Sequence, residues 1–183
     1  MVPGVNDLWR DVDETKAQGA DQHRRTQRLG AYAVVVHDDA LLLTRISTIG
    51  YPAGWWALPG GGVDHGESPH VAVERELYDE TGLRARSRRL VDVHDVHLVD
   101  VGRADQYEDF HGVHLLYAVD VDTTVTPRVV ELDGTTDLVR WVPLDDLPPR
   151  NSERGAPDTS PGPLLPVVEY VLDHLDHFLL GGV

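Results

Sequence analysis

The order of elements in the sequence is consistent with an α/β domain, and three observations make it so. Short runs of β-branched residues alternate with turn residues, one well-delimited helix interrupts them, and an apolar stripe at helical spacing lies near the end of the chain. Gly30 to His37 (GAYAVVVH) reads as a buried strand, Asp38-Asp39 as a turn, and Leu41 to Arg45 as the returning strand. Ser68 is placed to cap a helix whose first residue is Pro69, where a missing N–H costs nothing, and Gly82 stands where a helix ends. The helix is therefore expected over Pro69 to Thr81. Leu90 to Val101 and His111 to Val121 read as further strands, the second alternating through Val113, Leu115, Tyr117, Val119 and Val121, and Leu138 to Val142 as another. Leu165, Val168, Val171, Leu172, Leu175 and Leu179 share a helical face within Leu164 to Leu180, expected to pack on the core or on a second copy in a homodimer.

Size and charge narrow the function classes. The 183 residues suit one domain over 29–150, preceded by an arm (1–28) and followed by a linker and C-terminal helix (151–183). With 31 acids against 16 bases the net charge is −15, which opposes nonspecific attachment to nucleic acid or to an anionic membrane surface. An anionic small substrate would need cations to enter. The absence of cysteine excludes a disulfide framework and a thiolate zinc site. The first residues lack a signal-like apolar run and no segment reaches the length of a membrane span, so a cytoplasmic protein is expected.

The chemistry concentrates between Leu58 and Leu83. Glu76, Asp79 and Glu80 stand at i, i+3 and i+4 of the expected helix, so the three acids share one face. Like charges so spaced destabilise a bare helix by roughly 0.2–0.5 kcal/mol per pair, a cost that a bound divalent cation would reverse. The acids are either a solvated helix face or a grip for a hard cation. Upstream, Gly60, Gly61 and Gly62 allow close backbone approach and can aim carbonyl or N–H groups at a metal or phosphate. Magnesium suits carboxylates, a carbonyl and substrate phosphates. Glu67 and Arg75, eight residues apart across the helix start, are expected to pair and lock the loop onto the helix.

Read from Gly61, the chain is G-x5-E-x7-R-E-L-x-D-E-x-G-L, through Gly61, Glu67, Arg75, Glu76, Leu77, Asp79, Glu80, Gly82 and Leu83. This resembles the box of the Nudix hydrolase family, G-x5-E-x7-R-E-U-x-E-E-x-G-U with U a bulky aliphatic residue. One position departs: Asp79 stands where the family carries a glutamate, one methylene longer. Trp56-Ala57-Leu58-Pro59 and Arg140 to Leu144 also resemble the family. The resemblance implies an α/β/α sandwich around a mixed sheet, with the box helix on one face. It further implies Mg2+ or Mn2+ held by Glu76, Asp79, Glu80 and the Gly60 carbonyl, and hydrolysis of a nucleoside diphosphate linked to another moiety, such as a nucleoside triphosphate, ADP-ribose or a nucleotide sugar. Glu80 or a later acid would be the base; Glu131, ahead of Asp133 and Asp137, is the first choice among the later ones. The rival readings are a Nudix-like sensor that holds a nucleotide without cleaving it and a dimeric interaction module.

Other residues are expected to play smaller parts. Trp56 is expected to pack, whereas Tyr51 and Trp55 either pack or stack on a substrate base. Arg84, Arg86, Arg88 and Arg89 are expected to form a solvated strand edge rather than a phosphate-binding patch, and Arg24, Arg25 and Arg28 a solvated flank rather than a phosphate contact. His94 with His97, and His111 with His114, lie three apart on strands and so on opposite faces, which prevents either pair from chelating one ion.

Overall fold

The computed structural model describes residues 24–101, 108–147 and 162–179. Residues 1–23 of the arm expected over 1–28, residues 102–107 of the connection expected over 102–110 and residues 151–161 of the expected linker lie outside the described residues, while the last residues of the arm, from Arg24, are strand. The strands are β1 (Arg24–Val34), β2 (Val36–His37), β3 (Ala40–Ile46), β4 (Trp56–Ala57), β5 (Gly60–Gly62), β6 (Ala85–Val101), β7 (Glu108–Val121) and β8 (Thr136–Pro143). The helices are α1 (Pro69–Thr81), α2 (Pro166–Asp173) and α3 (Leu175–Leu179). The fold is a mixed α/β one built on two four-stranded sheets: one ordered β5-β1-β7-β6, the other β2-β3-β4 with β8 on β3.

The chain divides into two units. The smaller takes the first residues of β1, the last of β6 and the first of β7, where Gln27 meets His111 at 2.9 Å and Asp109 meets His97 at 2.5 Å. The larger, over residues 28–95 and 112–183, carries the box.

Within the larger unit, strand alternation makes two cores. Ala31, Ala33, Val35 and Leu42 face one way and pack with Ala72, Val73 and Leu77 of α1. Val34, Leu41 and Leu43 face the other way and pack with Trp56, Leu58 and the α2–α3 residues Val167, Val168, Val171, Leu172, Leu175 and Phe178. The C-terminal apolar stripe thus covers the chain's own sheet. Trp56 joins it directly: its N–H donates to the Pro163 carbonyl and its carbonyl accepts from Leu165 N.

Three local expectations change. The strand expected over 30–37 is split at Val35, because the chain there leaves β5 for β3; Gly30 pairs with Gly62, while Val36 pairs with Leu41. The turn between β2 and β3 holds Asp38 and Asp39 at φ 47° and 55°, positions that aspartate tolerates and a two-residue hairpin requires. The single C-terminal helix is broken at His174, whose N–H and ring Nδ1 both turn back onto the Tyr170 carbonyl. Finally, Ser68 makes no side-chain cap; its carbonyl instead accepts from Val71 N and Ala72 N. Pro69 and Gly82 behave as their types require, Gly82 closing α1 at φ 70° with its N–H on the Tyr78 carbonyl.

Candidate active site

Helix α1 is held to the loop before it by one guanidinium. Arg75 Nε and Nη2 donate to the two carboxylate oxygens of Glu67, each at 2.9 Å, and Nη2 also reaches the Gly62 carbonyl at 3.1 Å. Glu67 further accepts from Asp64 N. The bidentate geometry holds the Glu67 carboxyl down at about 2, with Arg75 the larger cause and the Asp64 N–H the next. The expected loop-to-helix lock is therefore present. Arg75 Nη1 also takes Glu76 Oε1 at 2.7 Å.

Glu76 and Glu80 project from α1 onto the glycine strand β5. A methyl group at Gly61 would come within 2.7 Å of the Glu76 carboxyl carbon, so only glycine admits that side chain here. Glu80 is the more enclosed acid, 9% exposed. Its Oε2 accepts from Gly60 N at 2.9 Å and its Oε1 from the Thr136 hydroxyl at 2.5 Å. Burial nevertheless pushes its carboxyl up to about 7, against the pull of those two bonds, and the charges of Glu76 and Glu131 add to the rise. Glu76 is also raised, by burial first, with Asp79 and Glu131 adding and Arg75 opposing.

Glu131 joins the group through the loop that follows β7. The carbonyls at the C-terminus of α1 have no helical partners, and this loop supplies them: Arg128 N donates to Thr81 O, and Val130 N and Glu131 N both donate to Asp79 O. Glu131 thereby shares the field of Glu76 and Glu80. Asp137 does not, being paired with Arg45 at 2.8 Å. Tyr51 is exposed and Trp55 half-buried on the loop between β3 and β4, and no described contact ties either to the acids.

The donor set suits a hard divalent cation: three helix carboxylates and a neighbouring one, with Glu76 and Glu80 raised by burial first and by their acidic neighbours second. As they stand, no three such side chains among the described residues converge on a single point.

Sequence reading missed Thr136 and Tyr32, and placed Arg28 on a solvated flank. Tyr32 lies opposite Gly60 on the ladder, its ring against Gly30 and Gly60, and burial raises its phenol while Arg28 opposes. The Arg28 guanidinium lies over Gly62. Behind Tyr32, His114 meets its ring edge-on at 5.0 Å and lies 3.2 Å from His94, Nδ1 to Nδ1, across the strands. Burial depresses both imidazoles, His114 to about 4. The paired glycines opposite Tyr32 were the available signal; the cross-strand histidines had none. The arginines after α1 are engaged by neighbours, Arg84 on the Tyr78 ring, Arg86 with Asp122 and Arg88 with Glu74.

A glycine strand feeding a latched helix that carries three carboxylates and packs on one of the two cores defines the class. The NUDIX domain family model matches residues 26–161, and the chain belongs to that family. It is similar to the RNA pyrophosphohydrolase of Rhizobium meliloti (strain 1021), 30% identical over 103 residues that cover 51% of this chain and 61% of that protein. It is also similar to the RNA pyrophosphohydrolase of Rhodopseudomonas palustris (strain BisB18), 30% identical over 106 residues, 51% of this chain and 58% of that protein. The chain thus matches less than two thirds of the length of these curated relatives. The fold is similar to the crystal structure of a MutT NUDIX hydrolase from Burkholderia pseudomallei, at 29% identity and TM-score 0.58, covering 81% of this chain and 97% of that one. Among the described residues no helix is long and apolar enough to cross a membrane.

Proposed function

We propose that the protein hydrolyses a pyrophosphate bond in a nucleoside diphosphate linked to another moiety, with a divalent cation, magnesium or manganese. The observation that carries this reading is the group of repelling carboxylates on α1 against the glycine strand, with Glu80 raised to about 7. Glu76, Asp79, Glu80 and the Gly60 carbonyl would hold the ion. When bound, it would neutralise diphosphate oxygens and lower the pKa of a water. Glu80 is the first choice to take the proton and Glu131 the second, both being carboxylates within the same field. Glu67 and Arg75 hold the loop so that β5 and α1 keep their spacing. Arg28, over Gly62, offers a positive charge on the opposite face of the glycine strand.

A second substrate class, a pyrophosphate carried by RNA, is favoured by the similarity to RNA pyrophosphohydrolases and opposed by the net charge of −15. A panel of nucleoside triphosphates, ADP-ribose, nucleotide sugars, dinucleoside polyphosphates and triphosphorylated RNA, assayed with magnesium for phosphate or pyrophosphate release, separates the two. The small nucleotides are expected to be cleaved and Glu80→Gln to lower turnover by orders of magnitude. Unchanged metal-dependent turnover in that variant would remove Glu80 from the mechanism.

A further inference from the structure

Glu80 is fixed at both oxygens, and the second anchor comes from an irregularity in a distant strand. Strand β8 pairs with β3 in regular antiparallel register from Ala40↔Pro143 to Arg45↔Leu138, and the next pair is Ile46↔Thr136. One step on β3 is thus set against two on β8, and the extra residue is Asp137, whose carboxylate accepts from Arg45 Nε. A one-residue slip turns a side chain to the other face of a sheet. Val139 and Trp141 lie on the α1 side of β8, and Val142 lies in the α2 core. Without the bulge Thr136 would follow Val142, away from α1. With it, Thr136 shares the face of its partner Ile46, and so of Thr44 and Leu42, and its hydroxyl meets Glu80 Oε1 at 2.5 Å.

The consequence is orientational. The terminal torsion of a glutamate is broad, so the Gly60 N–H on Oε2 alone would leave the carboxylate free to twist. Thr136 is buried and β-branched, hence stiff about χ1, and it pins the far oxygen from a different strand. Among the described residues Glu76 has no such second anchor from the sheet; its hydrogen-bond partner is Arg75, on its own helix.

We propose that Thr136 is a positioning residue, which sets the carboxylate plane of Glu80 for the hydrolysis proposed above and rests on that reading of the site. Misplacing a reacting group slightly costs much of its effectiveness, and a hydrogen bond to a charged group corresponds to roughly 10- to 100-fold in rate. Thr136→Val replaces the hydroxyl by a methyl of similar size, and Thr136→Ser keeps the hydroxyl without the methyl. On whichever substrate the unaltered protein cleaves, Thr136→Val is expected to lower kcat roughly 10- to 100-fold with KM little changed, and Thr136→Ser to recover most of it. In the metal-free protein, amide hydrogen exchange is expected to quicken at Gly60 in Thr136→Val alone. The amide of Ala33, which bonds to the Pro59 carbonyl, is expected to keep its rate in both variants. Unchanged kcat and unchanged Gly60 exchange in Thr136→Val would overturn the proposal. Equal loss of kcat in both variants, in step with lowered Tm, would do the same. Should no substrate be cleaved by the unaltered protein, the hydrolase reading fails while the Gly60 exchange still decides whether Thr136 holds Glu80.

Discussion

Glu80→Gln should make the metal-free protein more stable at alkaline pH and leave it nearly unchanged at acidic pH. The Glu80 carboxyl, raised from an ordinary 4.5 to about 7, is a group whose folded form prefers the proton. Below 4.5 it is protonated folded or unfolded and contributes no difference; between 4.5 and about 7 the unfolded chain releases the proton first, so stability falls as pH rises. Above 7 the full penalty is present. At about 1.4 kcal/mol for each tenfold change in the protonation equilibrium, that penalty is about 3 kcal/mol. Glutamine carries no charge and keeps both bonds, its amide oxygen accepting from Gly60 N and its NH2 donating to Thr136. For a chain of this size the gain corresponds to a rise in Tm of roughly 6–12 °C. The assay is thermal unfolding in chelator for both proteins at pH 5 and pH 8. A Tm difference that is the same at the two pH values would refute the reasoning, since it would mean that the acid does not meet its burial as a charged group. Magnesium added at pH 8 should then raise the unaltered protein toward the variant and move the variant little.

Three further outcomes are expected. Trp56→Ala, at a side chain only 3% exposed that joins the sheet to α2, should cost about 3–5 kcal/mol in urea unfolding, and a loss within error of zero would show that α2 is not seated on it. Gly61→Ala should keep the fold while abolishing the magnesium-induced rise in Tm, because its Cβ displaces the Glu76 carboxylate; Gly60→Ala, at φ 150° and against the Ala31 carbonyl, should destabilise the fold itself, and equal behaviour of the two variants would contradict the assignment. Glu67→Gln should be less stable than the unaltered protein at neutral pH. Because Glu67 is held down at about 2, that deficit is fully present above pH 4.5 and closes as pH falls toward 2; a deficit constant with pH, followed by Tm, would show that the carboxylate charge is not what latches Arg75.

What could be read without the fold is what lies close along the chain. Pro69, Gly82 and the i, i+3, i+4 spacing place Glu76, Asp79 and Glu80 on one face of α1, because helical geometry is set by neighbours within a turn. The Glu67–Arg75 lock spans only eight residues and was legible for the same reason. Glu131 was legible only as an acid in a suitable loop; the loop reaches Glu80's field because its N–H groups satisfy the open carbonyls at the end of α1. Thr136 was not legible at all. Its alternation with Val142 assigns it to the wrong face, and only the bulge at Asp137, held by an arginine 92 residues away, turns it toward Glu80. His94 with His114 was equally illegible, and Tyr32 over Gly60 was signalled only by the glycines; both pairs meet through sheet register. The sequence by itself therefore determined the helix and its lock, which follow from residues close along the chain, and carried the box whose resemblance implied the α/β class. The tertiary structure alone decided how each carboxylate is oriented and how strongly it is charged, because register and burial depend on residues that the chain brings together only when folded.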